Sequence, residues 1–135
     1  MKKPVFDIWH VAIPVRQLSS SVQFYCDQLG FTLFGLDEQS SKKQAFIQSG
    51  KSEFTIELFE PKDPAYSPQR PDHLAFECEN IVQYRDWLLK NGLPDIPEIL
   101  EFDNGVKYLP LRDPDGVALE FFQGRKIYED SIARL

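Results

Sequence analysis

Apolar and polar residues alternate with period two along the stretches 6–15, 31–36, 44–49, 53–59, 73–78, 106–111 and 117–123, and more weakly along 99–102. Such alternation predicts β-strands with one face turned to a core. Twice the period lengthens to that of a helix. Ser20, with Gln23 three residues on, has the form of a capping box, and Val22, Tyr25, Cys26 and Leu29 then share one helical face before Gly30 stops the run. Asn80 with Gln83 opens the second run, in which Ile81, Tyr84 and Leu88 form the stripe and Gly92 the stop. Trp87 and Phe24, at helical positions, are expected to be packing residues. The predicted order is strand, helix, three strands, and then the same again. This is an α+β chain of two tandem βαβββ modules, with the strands of each module curling into a mixed sheet.

The repeat can be measured. His10 to His73 spans 63 residues, Gly30 to Gly92 spans 62 and Glu57 to Glu120 spans 63. Within each copy the step from His to Glu is 47 residues. Local sequence agrees: His10-Val-Ala-Ile stands beside His73-Leu-Ala-Phe, and Ile56-Glu57-Leu58-Phe59 beside Leu119-Glu120-Phe121-Phe122. Asp113-Pro114-Asp115-Gly116 is a turn signal, with proline setting φ and glycine free to take positive φ, so the last two strands are expected to form a hairpin. The bounds are module one 5–60, a proline-rich linker 61–71, module two 72–123 and a C-terminal tail 124–135, read as one domain because a half of this size buries little alone.

Strand parity assigns faces. Trp9, Val11 and Ile13 flank His10; Ile56 and Leu58 flank Glu57; Leu74, Phe76 and Cys78 follow His73; Leu119 and Phe121 flank Glu120. Those apolar residues are expected in the core, so His10, Glu57, His73 and Glu120 point the other way. The chain has two histidines, and both occupy equivalent repeat positions with equivalent glutamates. Two imidazoles and two carboxylates suit a divalent metal of the Zn, Ni, Co, Mn or Fe class, held in a cavity enclosed by the curled sheet. Glu60, Glu77 and Glu101 lack that pairing and are expected to be solvated charges. The same parity turns Phe46, Gln48, Tyr108 and Arg112 toward the cavity, with Phe59 and Phe122 beside the glutamates; these six are the expected substrate-binding residues.

Composition narrows the partners. The 135 residues are 42% hydrophobic and 27% charged, which is the composition of a soluble globular chain. A net charge of -6 with no basic stripe argues against nucleic acid. No apolar window approaches a membrane span, and the N-terminal residues do not read as a signal peptide, so a cytoplasmic location is expected. Cys26 and Cys78 lie within apolar patterns on different elements and are expected to be reduced and buried.

The opening His10-Val-Ala-Ile, the run from Phe24-Tyr25 to Leu29-Gly30-Phe31, His73-Leu-Ala-Phe-Glu77, and Asp113-Pro-Asp-Gly116 with Glu120 four residues beyond the glycine together resemble the vicinal-oxygen-chelate superfamily. That superfamily includes glyoxalase I, methylmalonyl-CoA epimerase, extradiol dioxygenases and fosfomycin-resistance proteins. The resemblance covers nearly the whole chain and implies a glyoxalase-like fold and a homodimer. The full set of two His and two Glu is most similar to that of glyoxalase I and its isomerase and epimerase relatives. It implies a metal-dependent lyase, isomerase or epimerase acting on a small molecule through a metal-chelated enediolate, with Glu120 as base and Glu57 second. Alternatives are an iron-dependent ring-cleaving dioxygenase, which generally has no carboxylate ligand where Glu57 stands, and a non-enzymatic small-ligand binder of the resistance type. Pro14 and Pro61 replace the Arg and Asn that bacterial glyoxalase I usually carries at those positions, so glutathione is not the expected cosubstrate. No cluster of Lys or Arg marks a CoA phosphate site either.

Overall fold

Each half of the chain builds a four-stranded mixed sheet. The computed structural model describes residues 9–39, 43–50, 54–63, 65 and 71–131 and divides into two compact units, Met1–Arg70 and Pro71–Leu135. The first unit contains β1 (His10–Pro14), α1 (Leu18–Val22) running into a π-helical segment (Gln23–Gln28), β2 (Thr32–Asp37), β3 (Gln44–Gln48) and β4 (Thr55–Phe59). The second contains β5 (His73–Glu77), α2 (Ile81–Lys90), β6 (Leu100–Glu101), β7 (Lys107–Arg112), β8 (Ala118–Gln123) and α3 (Arg125–Asp130). Strand orders are β1-β4-β3-β2 and β5-β8-β7-β6. In each sheet the first strand pairs in parallel with the last, and the remaining pairs are antiparallel. This is the expected βαβββ order, repeated. Most of the linker and residues 6–8 of the first expected strand lie outside the described residues.

The core of each unit lies between its sheet and its helix. In the first unit Ile13, Tyr25, Ala45, Ile47, Ile56 and Leu58 are at most 1% exposed, and in the second Ile81, Leu88, Val106, Leu109 and Leu119 are at 0%. Trp9 departs from expectation, being 71% exposed. It precedes β1, so the strand's alternation does not constrain it, and its ring stands edge-on to His10 at 4.2 Å. Trp87 is likewise 39% exposed and stacks on Tyr84, whereas Phe24 is buried.

The helix starts show what local sequence can and cannot reveal. Asn80 caps α2 as expected, its side chain accepting from the Gln83 N–H at 3.0 Å. Ser20 does not cap α1. The helix begins two residues earlier at Leu18, and the Ser20 hydroxyl instead donates to Gln17 Oε1 at 2.6 Å. The free Leu18 N–H donates to Glu60 Oε2 at 2.9 Å, so Glu60 is a cap supplied from beyond β4 and not a solvated charge. Unit two repeats the device: Ile81 N–H donates to Gln123 Oε1 at 2.9 Å, and Gln123 lies 63 residues after Glu60. Glu77 and Glu101 are exposed, as expected. The π-helical segment carries the Leu29 N–H to Phe24 O at 2.9 Å, a five-residue step whose extra residue helps bury both Phe24 and Tyr25.

Both glycine stops have positive φ, 95° at Gly30 and 80° at Gly92, a conformation open to glycine at little cost. The β7–β8 hairpin closes on Asp113. Its buried Oδ1 accepts from the Asp115 and Val117 N–H groups, each at 2.8 Å.

Candidate metal centre

In the first unit His10 pairs in register with Thr55, and Glu57 lies two residues further along β4, on the same face as Thr55. Glu57 is 7% exposed, with Ile56 and Leu58 turned to the core on either side. A carboxylate so removed from water requires a compensating cation or hydrogen bonds. His10 Nδ1 is buried and finds no hydrogen-bond partner among the described residues. An orphaned imidazole nitrogen on β1, with Glu57 on the neighbouring strand β4, is donor chemistry a cation would satisfy. Phe46, opposite Glu57 on β3, meets His10 at 5.8 Å, ring to ring. Gln48 donates from Nε2 to Thr55 Oγ1 at 3.1 Å, and Phe59 is half-buried at the end of β4.

The second unit repeats this register: His73 pairs with Ala118, and Glu120 lies two residues further along β8. Here the two side chains are seen to converge, His73 Nε2 standing 3.5 Å from Glu120 Oε1. Two donors bound about 2.1 Å from one ion stand about 3.0 Å apart at adjacent octahedral positions and about 3.4 Å apart in a tetrahedron, so the observed spacing is close to that of a shared metal. Asp72 Oδ2 lies 2.8 Å from His73 Nδ1. An ionised carboxylate only accepts, so Nδ1 carries a hydrogen toward Asp72 and Nε2 is the nitrogen that faces Glu120. The hydrogen bond that Asp72 accepts and the charge of Glu120 raise the His73 pKa above its ordinary 6.5, and the proton a metal would displace is the one on Nε2, facing Glu120.

Two cavities of about 690 Å³ each meet at this pair, sharing His73, Tyr108 and Glu120. One extends toward Arg112, whose Nη1 donates to the Gly116 carbonyl at 2.8 Å. The other extends along Phe122 to Arg125, Tyr128 and Glu129 of α3. The register explains the openness of the floor: Ala75 and Ala118 share the face with His73 and Glu120 and take little room.

All the expected site residues fall on the sheet face away from the core. Within neither unit do three His, Cys, Asp or Glu side chains among the described residues stand close enough to hold a metal. Cys26 and Cys78 are free and half-buried, and burial pushes both thiols up to about 11, which makes them poor thiolate ligands. Sequence reasoning missed Asp72, although its place immediately before His73 is a usable signal, and missed the residues of α3, which follow the last repeat and have no counterpart among the described residues of the first unit.

Comparisons with known proteins agree with the fold. The family model of the Glyoxalase/Bleomycin resistance protein/Dioxygenase superfamily matches residues 7–121. The uncharacterised protein YaeR of Escherichia coli K12 is 29% identical over 124 residues, covering 86% of this chain and 95% of that protein. A lactoylglutathione lyase from Agrobacterium tumefaciens superposes with a TM-score of 0.69 at 18% identity, covering 91% of this chain and 97% of its own. TnmS3, an antibiotic-binding protein from Streptomyces sp. CB03234, superposes with a TM-score of 0.72 at 15% identity, covering 90% and 98%. At these identities the two structures share the fold alone. No helix among the described residues is long and apolar enough to cross a membrane.

Proposed function

The chain belongs to the Glyoxalase/Bleomycin resistance protein/Dioxygenase superfamily, and from that premise we propose that it is a divalent-metal-dependent lyase, isomerase or epimerase that moves a proton beside a carbonyl of a small molecule. The observation that carries this reading is the His73–Glu120 pair, 3.5 Å apart, with Asp72 holding the Nδ1 hydrogen so that Nε2 is the nitrogen available to an ion. His10, Glu57, His73 and Glu120 would hold the ion, drawn from the Zn, Ni, Co, Mn and Fe class that a nitrogen and oxygen shell suits. When bound, it would supply Lewis-acid polarisation of a carbonyl oxygen and so acidify the adjacent C–H.

The chain's own residues divide the remaining work. A Glu120 carboxylate oxygen takes the proton from carbon and returns it, with Glu57 the second candidate for that role. Asp72 holds the His73 ring in place. Tyr108 and Phe122, with Phe46 and Phe59 in the other unit, supply apolar walls, while Gln48 and Arg112 are the polar groups that orient a ligand. The reading includes a homodimer, so sedimentation equilibrium is expected to give twice the 15.7 kDa chain mass. A monomer at every concentration would remove that part.

A test follows from the proton step. Zinc, nickel and cobalt forms, incubated in deuterium oxide with hydroxy-carbonyl compounds and acyl thioesters, are expected to exchange hydrogen beside the carbonyl of at least one compound. Glu120→Gln is expected to lower that exchange by about 10²-fold or more. No exchange by any form across both classes contradicts the reading. A second reading is a small-ligand binder without metal, for which the cavities beside His73 and Glu120 would serve. It predicts ligand affinity unchanged by Glu57→Ala or His73→Ala.

A further inference from the structure

Helix α3 has no counterpart among the described residues of the first unit and no buried residue of its own. The chain reaches it through Gly124, at φ 96°, which turns the backbone sharply out of β8 and brings Tyr128 over Phe122 at 5.6 Å between ring centroids. Beneath it runs an aromatic ladder from Phe102, the residue after β6, across β7 and β8. Phe102 and Tyr108 are nearly parallel at 5.1 Å and 14°, and Tyr108 and Phe122 at 5.4 Å and 20°. Stacked this way, Tyr108 has both faces covered and offers the cavity its edge. Phe102 and Tyr128, at the two ends, remain 42% and 44% exposed. Ring edges carry partial positive charge and prefer the face of another ring, so the ladder is suited to a flat π-system laid against it.

Charge narrows the ligand further. Glu77, Glu120 and Glu129 line this cavity, and the Arg125 guanidinium is already paired with Glu129 at 2.7 Å. An anion entering here would meet three carboxylates, against one guanidinium that is already paired and the His73 ring, which is itself held between Asp72 and Glu120. The volume of about 690 Å³ accommodates a compact organic molecule beside the His73–Glu120 pair.

We propose that α3 and the Phe102–Tyr108–Phe122 ladder make this cavity selective for an uncharged ligand that carries an aromatic ring next to its oxygen donors. The inference rests on the proposed function only in setting those oxygens at His73 and Glu120. Tyr128 and Phe102 are then specificity residues, and the second cavity, toward Arg112, serves as the polar side of the site.

The test uses full-length protein, zinc-loaded and chelator-treated, titrated by calorimetry with α-hydroxyacetophenone, with its 4-carboxylate, and with hydroxyacetone, which lacks the ring. The aryl ketone is expected to bind more tightly than hydroxyacetone in both forms. Tyr128→Ala and Phe102→Ala are each expected to weaken it about threefold to tenfold, the range one aromatic pair is worth, while Tyr128→Phe retains it. The 4-carboxylate is expected to bind more weakly than its parent, with Glu77→Gln narrowing the gap. Circular dichroism checks that each variant is folded. Equal affinity for the ring-bearing and ring-free ketones, no binding of the aryl probe, or folded alanine variants that keep the preference would overturn the proposal. Aryl preference without zinc uptake would sustain it while contradicting the proposed metal function, and zinc uptake without aryl preference would do the reverse.

Discussion

Asp72 and Glu120 act on opposite nitrogens of His73, and their combined effect is to favour the imidazolium in metal-free protein. Because the folded pKa is raised above 6.5, the stabilisation from protonated His73 is fully present below about 6.5 and is lost as pH rises through the folded value. In chelator-treated protein the His73 ring is expected to titrate by NMR with a midpoint above 6.5, and Asp72→Asn is expected to lower it. A midpoint at or below 6.5 would contradict the arrangement. The same proton competes with a metal, so affinity for zinc is expected to fall as pH drops through the His73 pKa. At this scale the sequence identifies His10, Glu57, His73 and Glu120 because the period of 63 singles them out among many carboxylates. Periodicity says nothing of the neighbours that tune them. Asp72 comes from the residue before a strand, and Trp9, expected in the core, lies beside His10 for the same reason.

The elements follow from local chemistry wherever their determinants are local. Strand parity, the two glycine stops, the Asn80 cap and the Asp113 turn are legible because every group involved lies within a few residues of its partner. The start of α1 is not, because its N–H partner is Glu60, 42 residues away. The same holds for Ile81 and Gln123, again 42 residues apart. These two reaches tie each helix to the strand that carries its unit's glutamate, so the caps hold helix and site strand in register. Glu60→Ala and Gln123→Ala are each expected to cost about 1 kcal/mol in urea unfolding, the usual effect of losing a helix-cap acceptor. Unchanged midpoints in both variants would show that water replaces the caps at no cost.

At the scale of the whole molecule, duplication is what makes the chain readable. One module's pattern checks the other's, and both sheets adopt the same order and the same His-to-Glu register. The departures from the repeat are as informative as the repeat. The α3 helix has no repeat among the described residues of the first unit, and it carries Tyr128, one of the two residues to which ligand selectivity is assigned. Membership of the superfamily establishes the scaffold, while the chemistry rests on the site, since one scaffold hosts many reactions. The central claim is that the two His and two Glu hold a divalent ion, and X-ray absorption of the cobalt-loaded protein tests it most directly. The account predicts a shell of nitrogen and oxygen donors at about 2.0–2.2 Å with two imidazoles and no sulfur, and the loss of one imidazole in His73→Ala. Failure to retain the metal, a sulfur donor in the shell, or a spectrum unchanged by His73→Ala would contradict it.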